Sequence, residues 1–172
     1  ADHSAQVAVE ARHIATLHGV DAQKAEIGAW LHDVSAVFPS ASRAEAAREL
    51  GIPLLPEEEA FPPIAHQKLS AVLARELFGV DDEQVLSAIG CHTTLKRRAS
   101  ALDKVVFLAD KVAWDQPGTP PYLEGLLAVL SRSLDEAALV YLRYLWERRA
   151  TLPVVHPWMV DALSELSGGQ LP

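Results

Sequence analysis

Apolar residues recur along this chain at helical spacing, and no sustained alternation of apolar and polar positions marks a strand. Val7, Ala8, Ala11, Ile14, Ala15 and Leu17 form one stripe of a helix over residues 3–18, with Gly19 as its stop. Asp21 is placed to cap a second helix through Ala25, Ile27, Ala29, Trp30 and Leu31, ending just after Asp33. Ser42 with Glu45 has capping-box spacing and opens a short helix that Gly51 ends. Residues 53–63, with Glu57, Glu58 and Glu59 among prolines, read as a polar loop. Helices are then expected from Ile64 or His66 to Phe78, from Asp81 or Asp82 to His92, and from Ser100 to Trp114, with Thr93 to Ala99 as a basic loop. The break Gln116-Pro117-Gly118-Thr119-Pro120-Pro121 precedes helices over 121–131 and 134–149, the second opened by Ser133 with Glu136. Pro157 suits the first turn of a last helix over 157–167, and residues 168–172 read as a frayed tail. The pattern predicts one all-α domain of eight or nine helices over residues 1–167, without internal repeats.

Composition adds boundaries. A chain of 172 residues, 49% hydrophobic and 22% charged, suits one soluble domain. A net charge of −8 argues against a nucleic-acid backbone as partner. It leaves room for a small anionic substrate, because a metal ion reverses the field locally. Cys91 is the only cysteine, so no internal disulfide forms, as suits a reducing cytoplasm. No apolar run reaches the length of a membrane span, and no signal peptide is read at the start, which opens on Ala1. The expectation is a cytoplasmic protein with no membrane partner. Apolar surface on the last helices would suit a homodimer.

The chemistry gathers at helix ends. His32-Asp33 closes a strongly apolar helix, and burying an imidazole beside a carboxylate is costly unless both find partners. A divalent cation satisfies both, and mixed nitrogen and oxygen donors suit manganese, iron or zinc better than calcium. The plainer alternative leaves Asp33 exposed and His32 as a C-terminal residue favoured by the helix dipole. Asp110 ends the run Val105 to Ala109, with Lys111 beside it as a ready ion-pair partner. His92 follows Val85 to Ile89 and precedes Thr93-Thr94; His66 opens a helix; His3 stands at the start of the first. Ends of different helices can converge on one metal pocket. His13 lies about 80° around the helix from His3 and is given no role, nor are His18 and His156. Cys91 reads as a core thiol. Trp114 reads, with Trp30, Trp146 and Trp158, as a core or interface anchor; its place one turn after Asp110 makes stacking on a base the alternative role.

The order His3, His32-Asp33, His66, His92, Asp110 resembles the HD-domain superfamily, and the added histidines resemble its two-metal members. More closely, the chain is similar to the YqeK family of symmetrical diadenosine tetraphosphate hydrolases. The stretches that carry this are Asp2-His3-Ser4-Ala5-Gln6-Val7-Ala8, Ala29-Trp30-Leu31-His32-Asp33, His66-Gln67-Lys68-Leu69-Ser70-Ala71, Cys91-His92-Thr93-Thr94 and Leu102 to Asp110. They run in register over residues 2–115 and continue loosely to His156-Pro157. Three features depart: Ala36 stands where members commonly carry a lysine, Leu95-Lys96-Arg97-Arg98 replaces a glycine-containing loop, and residues 115–122 differ.

The resemblance implies an HD-domain bundle with its metal-binding core over 2–115 and C-terminal helices over 121–167. It implies two divalent ions, iron or manganese before zinc. His3, His32, Asp33 and Asp110 would hold one and His66 with His92 the other, Asp33 bridging. A hydroxide bridging the two ions would attack a phosphoryl group. Asp33, His66 and Lys68 are the catalytic candidates, and Thr93, Thr94, Lys96 and Arg97 the substrate-binding ones, with Arg98 beside them. Lys96 to Arg98 read equally well as a solvated basic loop, and the threonines as the end of a helix. The substrate implied is diadenosine tetraphosphate, split into two ADP. Another nucleotide or phosphate ester is the alternative that Ala36 and the basic loop motivate. A non-catalytic nucleotide sensor is a third reading, against which the complete six-residue set stands.

Overall fold

Helix starts fall where capping chemistry puts them. The computed structural model describes residues 2–114, 116–169 and 171. Asp115, Gln170 and Pro172, which fall in stretches read above as a divergent segment and a tail, lie outside the described residues. The Asp21 carboxylate accepts from the N–H groups of Gln23 and Lys24 to open α2 (Ala22–Leu31), which follows α1 (Asp2–His18). Asp82 likewise opens α6 (Glu83–Cys91), and Ser100 with Asp103 forms a reciprocal capping box at α7 (Ala101–Val112). Ser133 caps α9 (Leu134–Glu147), and Pro157 begins α10 (Pro157–Leu166). Between them lie α3 (Arg43–Glu49), α4 (Pro56–Ala60), α5 (His66–Phe78) and α8 (Leu123–Leu130).

The described residues thus form ten α-helices and no strand. The difference from eight or nine is α4, in the stretch read as a polar loop. Two details also differ from expectation. Ser42 caps nothing: its Oγ donates to Pro39 O at 3.0 Å. α2 stops at Leu31, and Val34–Val37 forms a separate 3-10 turn after Asp33.

α7 is the central helix. Leu102, Val105, Val106, Phe107, Leu108 and Ala109 are all buried, so the helix is apolar on nearly every side, as a surrounded helix must be. It packs against α1, α2, α6, α8 and α9. Gly28 of α2 permits the approach from one side: a Cβ there would lie 3.2 Å from Val106 Cγ2. α1 and α2 also pack on each other, and α5 lies on α6. This arrangement brings together the C-terminal ends of α2, α6 and α7, because His32, His92 and Asp110 meet there.

α4 exists because of a buried carboxylate. Glu58 accepts from the Leu55 N–H at 2.7 Å, from Lys68 Nζ at 2.6 Å and from His156 Nε2 at 3.3 Å. His156 Nδ1 accepts the Trp158 N–H, so the ring proton sits on Nε2 and points at Glu58. Burial alone would raise the Glu58 pKa, but the hydrogen bonds from His156, Lys68 and the Leu55 N–H leave it below its usual value. The sign follows. The stability this group contributes is present at neutral pH and is lost as pH falls through the ordinary carboxylate range toward the folded value. Glu58→Ala takes the carboxylate partner from buried His156 and half-buried Lys68 and is expected to cost about 3 kcal/mol. Thermal melts across pH check this: wild type loses its margin over the variant in acid.

Candidate metal centre

Three histidines are aimed by the same local device. His32 Nδ1 donates to Ala29 O at 2.6 Å, His92 Nδ1 to Ile89 O at 2.8 Å, and His66 Nδ1 to Pro63 O at 2.9 Å. Each ring bonds the carbonyl three residues back at the end of a helical turn, where carbonyls lack partners. The bond places the proton on Nδ1 and leaves Nε2 as a lone pair. All three Nε2 atoms face one region.

Two carboxylates complete it. Asp33 Oδ2 lies 3.6 Å from His32 Nε2, while Asp33 Oδ1 lies 3.4 Å from His66 Nε2 and 3.7 Å from His92 Nε2. Asp110 Oδ1 lies 3.1 Å from His3 Nε2 and 3.6 Å from His32 Nε2. His66 and His92 approach to 3.0 Å, Nε2 to Nε2. All six residues expected from sequence are therefore in one place. Two overlapping triads, His3–His32–Asp110 and His32–Asp33–His92, each hold their ligand atoms within 4.8 Å of one another.

The electrostatics ask for a cation. His32 is fully buried, and its Nε2 has no hydrogen-bond partner among the described residues. Burial, reinforced by His92, pushes His66 down to about 3; burial also lowers His92. Both rings are then neutral at pH 7, and their Nε2 lone pairs oppose each other. Burial works against charge on His32 too, but Asp110 and Asp33 outweigh it and raise its pKa, marking the lone pair as a seat for positive charge. Three helix C-termini add negative potential. A site this rich in converging lone pairs and carboxylate oxygens fits divalent metal, and the imidazole and carboxylate ligands suit a transition ion.

Supporting residues hold this set. Lys111 Nζ bonds Asp110 Oδ2 at 2.5 Å and His92 O at 3.3 Å, so Asp110 keeps Oδ1 for the histidines. Burial opposes the Lys111 charge, yet Asp110 raises its pKa overall. Ser35 Oγ donates to His66 O, and Ser70 Oγ to Ser35 Oγ, both at 2.9 Å. This ties the turn after Asp33 to α5. Gln67, fully buried, accepts from the N–H groups of Thr93 and Thr94 at 3.2 and 3.3 Å and donates to Thr94 Oγ1 at 3.1 Å. The pairing of Lys111 was legible from its neighbour, but its burial was not, and Gln67, Ser35 and Ser70 carried no local signal of their roles. Gln67→Ala leaves the part-buried Thr93 N–H and the buried Thr94 N–H without this partner and is expected to cost about 2 kcal/mol, read from the denaturation midpoint.

The substrate candidates fare differently. Thr93 Oγ1 lies 2.9 Å from His66 Nε2, at the edge of the cluster. Thr94 is buried, its hydroxyl donated to Leu95 O at 2.8 Å. Lys68 Nζ is held by Glu58 and Pro53 O. Lys96 Nζ reaches Ser87 Oγ at 2.6 Å and Asp103 Oδ2 at 3.8 Å, and Asp103 lies two turns, about 10 Å, back along α7 from Asp110. Arg97 pairs with Glu165 at 3.5 Å. The loop turns sharply, with Leu95 at φ 57° and Arg98 at φ 55°. Leu95 tolerates that strain with its side chain fully buried. Trp114 packs edge-on against Tyr122 at 6.5 Å.

The sequence matches the HD domain family over residues 1–115. The chain belongs to the HD-domain family. A crystal structure of a predicted HD superfamily hydrolase involved in NAD metabolism, from Clostridium acetobutylicum, matches with a TM-score of 0.89 at 25% identity, over 98% of this chain and 89% of that one. An uncharacterized protein of the pepC 5' region from Lactococcus lactis subsp. cremoris is 46% identical over 147 residues, 86% of this chain and 74% of that protein. A symmetrical bis(5'-nucleosyl)-tetraphosphatase of Staphylococcus aureus is 31% identical over 140 residues, 78% of this chain and 69% of the enzyme. One of the same name from Halalkalibacterium halodurans is 35% identical over 112 residues, 64% of this chain and 58% of the enzyme. The resemblance to YqeK-type members therefore holds. This HD-domain protein is a metal-dependent phosphohydrolase. No helix among its described residues is long and apolar enough to cross a membrane.

Proposed function

We propose that this HD-domain phosphohydrolase cleaves a phosphoanhydride of a nucleotide, splitting diadenosine tetraphosphate symmetrically into two ADP. The observation that carries the reading is the convergence of His3, His32, Asp33, His66, His92 and Asp110 on one site. The names of the Staphylococcus and Halalkalibacterium relatives support the substrate.

His3, His32, Asp33 and Asp110 would hold one ion, and His66 with His92 a second, with Asp33 shared. Its two oxygens already face different histidines. The donor set favours iron or manganese over zinc. Bound divalent ions would supply an acidified water and positive charge against the phosphoryl oxygens. The chain's own residues do the rest. The carbonyl-bound Nδ1 protons fix the rings, Lys111 holds Asp110, and Ser35 and Gln67 hold the two loops. Thr93 stands beside His66 with a hydroxyl that can turn to a phosphoryl oxygen. Lys68, Lys96 and Arg97 would add charge on the flank, each by leaving its present carboxylate partner.

That last point favours a second reading, hydrolysis of another nucleotide or phosphate ester. Ala36 and the committed basic residues leave the phosphate chain with less cationic surroundings than a long polyphosphate calls for. A nucleotide panel with chromatographic separation of products decides between them. ADP as the single product from diadenosine tetraphosphate supports the proposal. An intact dinucleotide beside cleavage of another phosphate compound moves the protein to the second reading, and no cleavage of any compound overturns both.

A further inference from the structure

A cavity of about 180 Å³ lies beside the metal centre and plays no part in the chemistry above. Its walls are Phe61, Ile64, Tyr141, Leu145, Leu152 and Met159. Thr93, whose hydroxyl lies 2.9 Å from His66 Nε2, also lines it. Tyr141 ties the cavity to the centre as well: its ring has Lys111 Nζ 5.4 Å from its centroid, and Lys111 holds Asp110. The cavity is therefore contiguous with the site through Thr93, and most of its lining is apolar.

We infer that this cavity receives the planar aromatic base of a nucleoside whose phosphates lie on the metal centre. The inference rests on the nucleotide reading proposed above. The walls suit a flat ring: two aromatic side chains, a thioether and branched aliphatics line it, as in small-molecule pockets generally. Two of the polar side chains that line it are already spent. Thr94 donates to Leu95 O, and both ring nitrogens of His156 are bonded, to Glu58 and to the Trp158 N–H. The base is held by packing and not by these groups. Tyr141, Leu145, Leu152 and Met159 also lie beyond residue 115, where the family match ends. The C-terminal helices thus shape the ligand preference of a site whose metal ligands come from the family core. The buried Glu58 cluster anchors the start of α10 against α4 and so keeps that wall in place.

Met159 is the single methionine of the sequence, so a ¹³C-methyl label reports on the cavity through one resonance. The full chain, loaded with diamagnetic zinc, is titrated with adenosine and separately with inorganic pyrophosphate. Adenosine is expected to move the Met159 signal to saturation, and pyrophosphate to leave it in place. Leu145→Trp and Leu152→Trp fill the cavity from a helix and from a loop, and each is expected to weaken adenosine binding about tenfold or more. A Met159 signal that ignores adenosine overturns the inference, as does full affinity in both variants. The two readings separate cleanly. A responsive Met159 in a protein that cleaves no nucleotide leaves the pocket standing and removes the reaction. A silent Met159 in a protein that cleaves nucleotides removes the pocket alone.

Discussion

Asp33→Asn is expected to lower turnover at least about a thousandfold. Asp33 alone among the six residues reaches three histidines, His32 through Oδ2 and His66 and His92 through Oδ1. Asparagine keeps the shape but loses the charge and turns one oxygen into an NH₂ donor, which would face a lone pair. One change therefore disables both halves of the centre. The Asp33 side chain is about a third exposed, so the metal-free variant should melt within a few degrees of wild type. Loss of activity with an intact fold separates a ligand from a packing residue. His13→Ala is the control. His13 is exposed on α1, and its removal should leave turnover unchanged. Equal losses from both substitutions, measured as steady-state turnover with manganese present, would undo the assignment.

Metal removal is the second large effect. Without a cation, two neutral imidazoles direct lone pairs at each other across 3.0 Å, and a third is buried with no partner among the described residues. Binding that satisfies these atoms stabilises the folded state alone. At free metal a thousandfold above the dissociation constant, the gain is about 4 kcal/mol. For a domain of this size that raises the melting temperature by about 8–16 °C. Melts in chelator and in graded manganese or iron check the figure. A melting temperature indifferent to metal would mean that the cluster is satisfied by protons instead.

Much of this was legible in the residues, for definite reasons. Helix periodicity and caps such as Asp21, Asp82 and Ser133 are local, and the structure uses them as read. α4 was not legible. Its prolines and glutamates have loop composition, and the helix is fixed by Lys68 and His156, ten and ninety-eight residues from Glu58. The six candidate ligands stood out through their order along the chain. Their aim has a local cause as well: each of His32, His66 and His92 sits three residues after a carbonyl that its own helical turn leaves open. The basic loop shows the opposite case. Lys96 and Arg97 read as solvated or phosphate-facing; Arg97 is indeed exposed, but the ion pairs with Asp103 and Glu165 had no local signal, the Glu165 contact being long-range.

The central claim is a shared metal centre built on Asp33. Its most direct test is elemental analysis of wild type and Asp33→Asn, reconstituted side by side with manganese or iron and freed of loose metal. The account predicts about two ions per chain in wild type and at most one in the variant. A wild-type chain that retains no metal, or two ions retained by both proteins, would contradict it.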